Sequence, residues 1–171
     1  KTEDNMPFSF LPKLMAEKTT DITPALLREK KIRLLMLDFD NTIVPYTRDE
    51  PTQEMKAWLD GIRASGIKLC IVSNSHKNRV KIFSKAYGLD CITHSRKPFS
   101  KGINQCLEKY GLPPERCALA GDQIFTDNLG ANCAGLTSIL VKPIHNHTIW
   151  LKLRHVAEMP FIFAARKRRI T

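Results

Sequence analysis

From residue 32 onward, short apolar runs alternate with stretches whose apolar residues recur every three or four positions. Ile32–Leu37 is apolar apart from Arg33 and reads as a strand buried on both faces. Thr52–Ser65 places Met55, Leu59 and Ile62 on one helical face and stops before Gly66, where a C-terminal glycine belongs. Ile67–Val72 reads as a second strand and Lys77–Tyr87 as a second helix, closed by Gly88. Cys91–Thr93 is a short strand, Ser100–Tyr110 a helix ended by Gly111 and Pro113, and Cys117–Ala120 a strand. Asp127–Ala134 is a further helix and Thr137–Val141 the last strand. Strands alternating with helices of about ten residues predict βαβ units: an α/β chain with a mainly parallel sheet between two helical layers.

The two ends fall outside this alternation. Residues 1–31 form an N-terminal extension, in which the Phe8-Ser-Phe-Leu-Pro12 cluster is expected to pack on the domain. Asp21 is expected to cap a short helix ending near Lys31. Residues 32–143 form the core, and 144–171 a tail of different composition. In the tail Ile149, Trp150, Leu153, Val156 and Ala157 share one helical face, and Pro160 is expected to break that helix before Phe161-Ile162-Phe163 and the Arg166–Arg169 cluster.

Composition narrows the partners more than the fold. The chain's 171 residues suit one domain. Its net charge of +10 favours anionic partners. From Lys142 onward seven basic residues face the single acid Glu158, so much of the excess lies in the tail. The five cysteines contain no CxxC pair and are expected to be buried free thiols of a reducing compartment. No stretch approaches the ~18 apolar residues of a membrane span. His145-x-His147 follows Pro143 without an evident third ligand, so metal is not expected there.

The candidate chemistry sits where the strands stop. The first strand runs into Asp38-Phe39-Asp40-Asn41-Thr42. Carboxylates at i and i+2 leave a strand tip on the same side. They repel unless a cation or a shared proton neutralises them, and hard oxygen donors without Cys or His favour Mg²⁺. The second strand ends in Ser73-Asn74, a hydroxyl and an N–H suited to a phosphate oxygen; Lys97, followed by Pro98, precedes the third helix. Cys117–Ala120 runs into Gly121-Asp122 and then Asp127. Taken singly, these are an Asx turn, a helix cap and a surface lysine as readily as a site. Their conjunction at four strand ends or helix starts is what points to a site.

This order of motifs resembles the haloacid dehalogenase-like superfamily of phosphohydrolases: Asp38-x-Asp40-x-Thr42, Ser73, Lys97, and Gly121-Asp122-x-x-x-x-Asp127. The forms LDFDNTIVP, SRKP and GDQxxTD look like subfamily IIIA, and most like the bacterial YqeG family. The resemblance spans roughly residues 32–141 and implies a Rossmann-like fold. It also implies roles. Asp38 is the nucleophile that becomes an aspartyl phosphate, and Asp40 the general acid and base. Mg²⁺ is held by Asp38, the Asp40 carbonyl and Asp122, and Asp127 orients the metal's waters or Lys97. Ser73 and Lys97 bind phosphoryl oxygens, with Thr42, Asn41 and Asn74 shaping the phosphate pocket.

Members that select small metabolites usually carry a cap domain after the first or second motif. Here only Ile43–Pro51 follows Thr42, and one helix and a short strand separate Ser73 from Lys97. The fold is therefore expected to be capless, or to carry a minimal flap over an open site. An open site and a basic, apolar tail suit the surface of an anionic membrane. With the resemblance, they imply a phosphatidylglycerophosphate phosphatase, cytoplasmic or peripheral on the inner face of the membrane. The alternatives are a soluble phosphatase of nucleotides, sugar phosphates or phosphoproteins, and a non-catalytic binding module. Nucleic acid is a weaker partner, since no aromatic strand platform accompanies the charge.

Overall fold

In a computed structural model of the chain, which describes residues 9–76, 78–145 and 149–170 (side chains from 156 onward in the last segment), six parallel strands form one sheet. They are β1 (Leu14–Ala16), β2 (Leu34–Leu37), β3 (Lys68–Val72), β4 (Asp90–Ile92), β5 (Cys117–Gly121) and β6 (Thr137–Val141), in the order β1-β6-β5-β2-β3-β4. The helices are α1 (Pro24–Glu29), α2 (Gln53–Ala64), α3 (Asn78–Tyr87), α4 (Lys101–Tyr110), α5 (Leu129–Cys133) and α6 (Ile149–Ala164).

Alternate residues of each strand feed opposite layers. Leu35 and Leu37 of β2 join one core with Leu59, Ile62, Val80 and Phe83 of α2 and α3. Leu34 and Met36 join the other with Ile103 and Cys106 of α4. Burial on both faces is why the strands read as unbroken apolar runs. The chain leaves β2 toward β3 and β4 on one side and later fills β5 and β6 on the other. The tip of β2 is therefore the switch point where open sheets of this kind place their ligands.

The ends of the chain are built differently from expectation. Residues before 32 contribute the edge strand β1, paired with β6 at Leu14↔Ile139. Helix α1 begins at Pro24 and is capped by Thr23, whose hydroxyl accepts from Leu26 N at 3.2 Å, so Asp21 is not its cap. Phe10 and Leu11 pack with Phe125, Phe161 and Ile162, whereas Phe8 lies outside the described residues. Asp127 does not begin an α-helix: Ile124–Asn128 forms a π-helical turn that leads into α5.

Pro160 does not end the tail helix either, since α6 continues to Ala164. The proline removes a bond to the carbonyl of Val156, and both residues are exposed, so water can serve that carbonyl. Of the apolar face expected in the tail, Ile149, Trp150 and Leu153 have no described side chains, and Val156 is 67% exposed. All five cysteines are free; Cys70, Cys106 and Cys117 are buried as expected, but Cys133 is exposed. No helix is long and apolar enough to cross a membrane among the described residues.

Candidate active site

The loop leaving β2 is held from several directions. Phe39 is fully buried and meets the Phe83 ring edge-on at 5.1 Å, which fixes Asp38 and Asp40 on either side of it. Asn41 takes a left-handed conformation with φ of 61°, and its N–H donates to the Val44 carbonyl at 2.7 Å. Its side-chain amide donates to the His145 carbonyl at 2.9 Å, and the Thr42 carbonyl accepts from the Thr19 hydroxyl at 2.8 Å. Asn41 and Thr42 are fully buried, and these bonds build the loop. His147, the other half of the His145-x-His147 pattern, lies outside the described residues.

Lys97 forms the centre. Its Nζ lies 2.7 Å from Asp38 Oδ1 and 2.7 Å from Asp127 Oδ1, with side chains no more than 8% exposed. The Lys97–Pro98 peptide is cis, and the neighbouring Arg96 has φ of 57°. This unusual turn is fastened by Asn74. Its Oδ1 accepts from Lys97 N at 2.7 Å and from the Ser95 hydroxyl at 2.8 Å, while its Nδ2 donates to the Lys97 carbonyl at 2.8 Å. Helix α4 closes on the same turn at Gly102, where an added Cβ would lie 2.4 Å from Ser95 Cβ. Ser73 is buried at the tip of β3, its Oγ accepting from Ser75 N at 3.0 Å. The hydroxyl proton remains available to a ligand oxygen.

Electrostatics follow from this burial. Desolvation raises the Asp38 carboxyl to about 7 against the opposing pull of Lys97, and the Asp127 charge raises it further. Burial alone would lower Lys97, but the carboxylates of Asp127 and Asp38 outweigh it and hold the ammonium above its usual value.

Asp122 and Asp127 follow β5. Asp127 folds back so closely that a Cβ at Gly121 would lie 2.3 Å from its Oδ2, so glycine is required there. That same oxygen accepts from Gln123 N at 3.1 Å. The turn is also gripped from α6, where the buried Glu158 accepts from Ile124 N at 2.9 Å. Asp38, Asp122 and Asp127 each offer a carboxylate oxygen within 4.8 Å of the others. Lys97 pairs with two of these three buried acids, Asp38 and Asp127. A hard divalent cation fits the all-oxygen donor set of the three carboxylates.

Asp40 faces another cation. Arg79, in the first turn of α3, donates from Nη1 to Asp40 Oδ1 at 2.8 Å. The same guanidinium reaches the flap: it donates to the carbonyls of Pro45 (3.1 Å), Tyr46 (3.3 Å) and Arg48, and its Nε lies 2.9 Å from Asp49 Oδ1. It also lies over the Phe39 ring at 5.1 Å. Beside the loop that follows β2 a cavity of about 550 Å³ is lined by Thr42, Ile43, Pro45, Arg48, Met55 and His145, among others, but by none of Asp38, Asp40, Asp122 and Asp127.

The structure thus brings Asp38, Lys97, Asp122 and Asp127 together, with Asp40 beside Asp38 on the same loop and Ser73 and Asn74 at the neighbouring strand tip. Asn74 acts through its side chain on the Lys97 turn. Sequence reasoning missed Arg79 and Glu158. Each lies inside a helix rather than at a strand end, so the rule that found the others does not reach them.

Comparison with known proteins gives a consistent result. A family model for haloacid dehalogenase-like hydrolases matches residues 12–135. The Bacillus subtilis protein named "Probable phosphatase YqeG" is 38% identical over 135 residues, covering 79% of this chain and 78% of that protein. Among solved structures, an uncharacterised Listeria monocytogenes protein superposes with a TM-score of 0.55 at 19% identity, covering 69% of this chain and 84% of the other. The cobalt-bound deoxy-D-mannose-octulosonate 8-phosphate phosphatase of Haemophilus influenzae gives 0.52 at 11% identity, with 81% and 92% coverage. At such identities the structural likeness concerns the fold.

Proposed function

The chain belongs to the haloacid dehalogenase-like hydrolases and is a phosphatase, and on that premise we propose that it hydrolyses phosphate monoesters by transferring the phosphoryl group to Asp38. The observation that carries this reading is the convergence of Asp38, Lys97 and Asp127 at 2.7 Å contacts beside Asp122. In the first step an Asp38 oxygen bonds to phosphorus as the ester P–O bond breaks, and Asp40 gives its proton to the departing alkoxide. In the second, water attacks phosphorus, Asp40 takes a proton from it, and the acyl-phosphate bond breaks to release phosphate and restore the Asp38 carboxylate. Lys97 and the Ser73 hydroxyl hold phosphoryl oxygens, as fixed donors in a dry site should.

Asp38, Asp122 and the Asp40 carbonyl would hold Mg²⁺. Both oxygens of Asp127 are engaged by Lys97 and Gln123 N, which suits it to orienting Lys97. When bound, the ion supplies positive charge against the phosphoryl group and the nucleophile. The test is chemical trapping. Protein quenched in acid during turnover should carry a hydroxylamine-labile phosphate, and Asp38→Asn should carry none. A wild type that turns over without a trapped acyl phosphate speaks against the Asp38 route.

For the substrate we infer a phospholipid monoester, phosphatidylglycerophosphate, met at an anionic membrane surface. What supports it is exposed apolar surface next to basic charge. Tyr46, Phe99 and Ile144 are exposed on loops that follow strand tips. On α6, Val156, Met159 and Phe163 recur at i, i+3 and i+7 and are 67%, 49% and 66% exposed. Arg166 lies 4.7 Å from the Phe163 ring, and Lys167 is exposed beside it. Apolar groups flanked by arginine and lysine suit an interfacial helix. Phosphate release from phosphatidylglycerophosphate in vesicles, compared with a panel of soluble phosphate esters, tests the assignment. A preference for a soluble ester that detergent and vesicles leave unchanged favours the soluble alternative.

A further inference from the structure

We propose that Arg79 is a positioning residue that makes the placement of the flap and the orientation of Asp40 a single variable. The inference rests on Asp40 serving as the proton donor, as proposed above. Three observations carry it.

The first is the number of targets. One guanidinium binds the Asp40 carboxylate, three flap carbonyls and Asp49 (distances above), and lies over Phe39, the residue between the two catalytic acids. Arginine's planar fork can serve several acceptors at once, whereas a lysine ammonium is a single compact charge. The second is burial. The Arg79 side chain is 12% exposed and the Asp40 side chain 14%, whereas Asp49 is 80% exposed. The Asp40 and Pro45 contacts are therefore shielded, those to Tyr46 and Arg48 lie at the surface, and the Asp49 contact is a surface arm worth little. The third is connectivity. Arg79 stands on α3, which is anchored in the core through Val80 and Phe83. It is thus a fixed post to which both the catalytic loop and the flap are tied.

The consequence is specific. A flap that lifts must release the guanidinium from its carbonyls, and the same movement loosens Asp40. An ester seated under a docked flap meets an oriented acid, whereas one bound with the flap lifted does not. Proton delivery matters in proportion to the basicity of the leaving oxygen, so the coupling should show as a leaving-group effect.

The test uses Arg79→Lys and Arg79→Met in the full chain, assayed on an alkyl phosphate and on an aryl phosphate with a good leaving group. With Arg79→Met, kcat on the alkyl ester should fall roughly tenfold to a hundredfold, less than the full ~10²–10⁴-fold of positioned proton transfer because Asp40 itself remains. The aryl ester should fall by less than about threefold. Arg79→Lys keeps a cation for Asp40 and loses the fork, so it should recover part of the alkyl activity. Amide exchange across residues 45–49 should accelerate in both variants. Asp40→Asn alone serves as the reference for the proton-donor role. Equal losses on the two esters, or flap exchange unchanged in Arg79→Met, overturn the coupling. If Asp40→Asn itself shows no leaving-group effect, the acid assignment fails, and the exchange data still decide whether Arg79 holds the flap.

Discussion

Two carboxylate–cation pairs lie on the loop that follows β2, and the roles proposed for their acids make different demands on them. Lys97–Asp38 is 2.7 Å long, and Arg79–Asp40 is 2.8 Å. The lysine pair is closed off by a second acid, Asp127, by the Asn74 clamp and by the approach of α4 at Gly102. The arginine pair opens onto a flap whose backbone carbonyls and Asp49 carboxylate supply the remaining acceptors. A nucleophile needs a fixed place and a controlled charge. A proton donor needs to meet leaving groups of different shapes. On the proposed roles, the packing around Lys97 answers the first need, and the tie of Arg79 to a surface loop answers the second.

The largest effect is expected at the rigid pair. Asp38→Asn should abolish turnover while keeping the fold, because the amide is nearly isosteric but is no nucleophile; phosphate release and circular dichroism check both parts. Residual activity near wild type would break the comparison at its root. Lys97→Met leaves Asp38 and Asp127 buried without their shared cation. Removing one partner of a buried pair costs about 3–5 kcal/mol, so a denaturant midpoint close to wild type would show that the pocket is wetter than it looks.

A smaller effect belongs to the clamp. Asn74→Ala strands the Lys97 N–H and the Ser95 hydroxyl, and a buried unsatisfied polar group costs about 1–3 kcal/mol. Turnover should fall with stability, because the turn that presents Lys97 relaxes. A separate effect is that of pH on the protein without metal. Asp38 is raised by burial to about 7, so its native form holds a proton that the unfolded chain gives up near pH 4. The native state binds more protons across that window, and stability falls with rising pH. The contribution is complete below about pH 4 and lost as pH rises through about 7. Thermal melts of metal-free wild type should show this slope, and Asp38→Asn should flatten it. The least effect on chemistry is expected from changing Arg166, Lys167, Arg168 and Arg169 to Gln. Aryl phosphate hydrolysis should be unchanged, while co-sedimentation with anionic vesicles should weaken roughly a hundredfold or more, at about 1 kcal/mol per charge. A wild type that never sediments with such vesicles removes the membrane proposal.

Much of this architecture was legible beforehand. β2, β3, β5 and β6 are apolar because both faces are buried, and Asp38, Ser73 and Asp122 stand where their strands stop. β1 was not legible. Leu14–Ala16 is three residues long and is a strand only because β6 lies beside it. Pro160 misled because a proline rule assumes that the freed carbonyl lacks water, and here it faces solvent. Asn74 is legible only as a backbone N–H at a strand tip; the work of its side chain is not, because only the path of the chain back through Ser95–Lys97 gives it three partners. Arg79 carries no local signal at all, because its role arises where a helix, a loop and a flap meet.

The edge strand has a consequence for the order in which the molecule can assemble. Lys13 donates to the Ser138 hydroxyl 125 residues away, and β1 has its backbone partner in β6. At about 5–20 residues per second, a ribosome needs roughly 6–25 s to reach that partner. Throughout that interval Phe10, Leu11 and Met15, which later pack with Leu140 and Phe161, have nowhere to go. The first strand among the described residues is thus among the last to dock. A nascent chain of this protein carries the apolar Phe10–Ala16 segment unpaired until β6 has emerged.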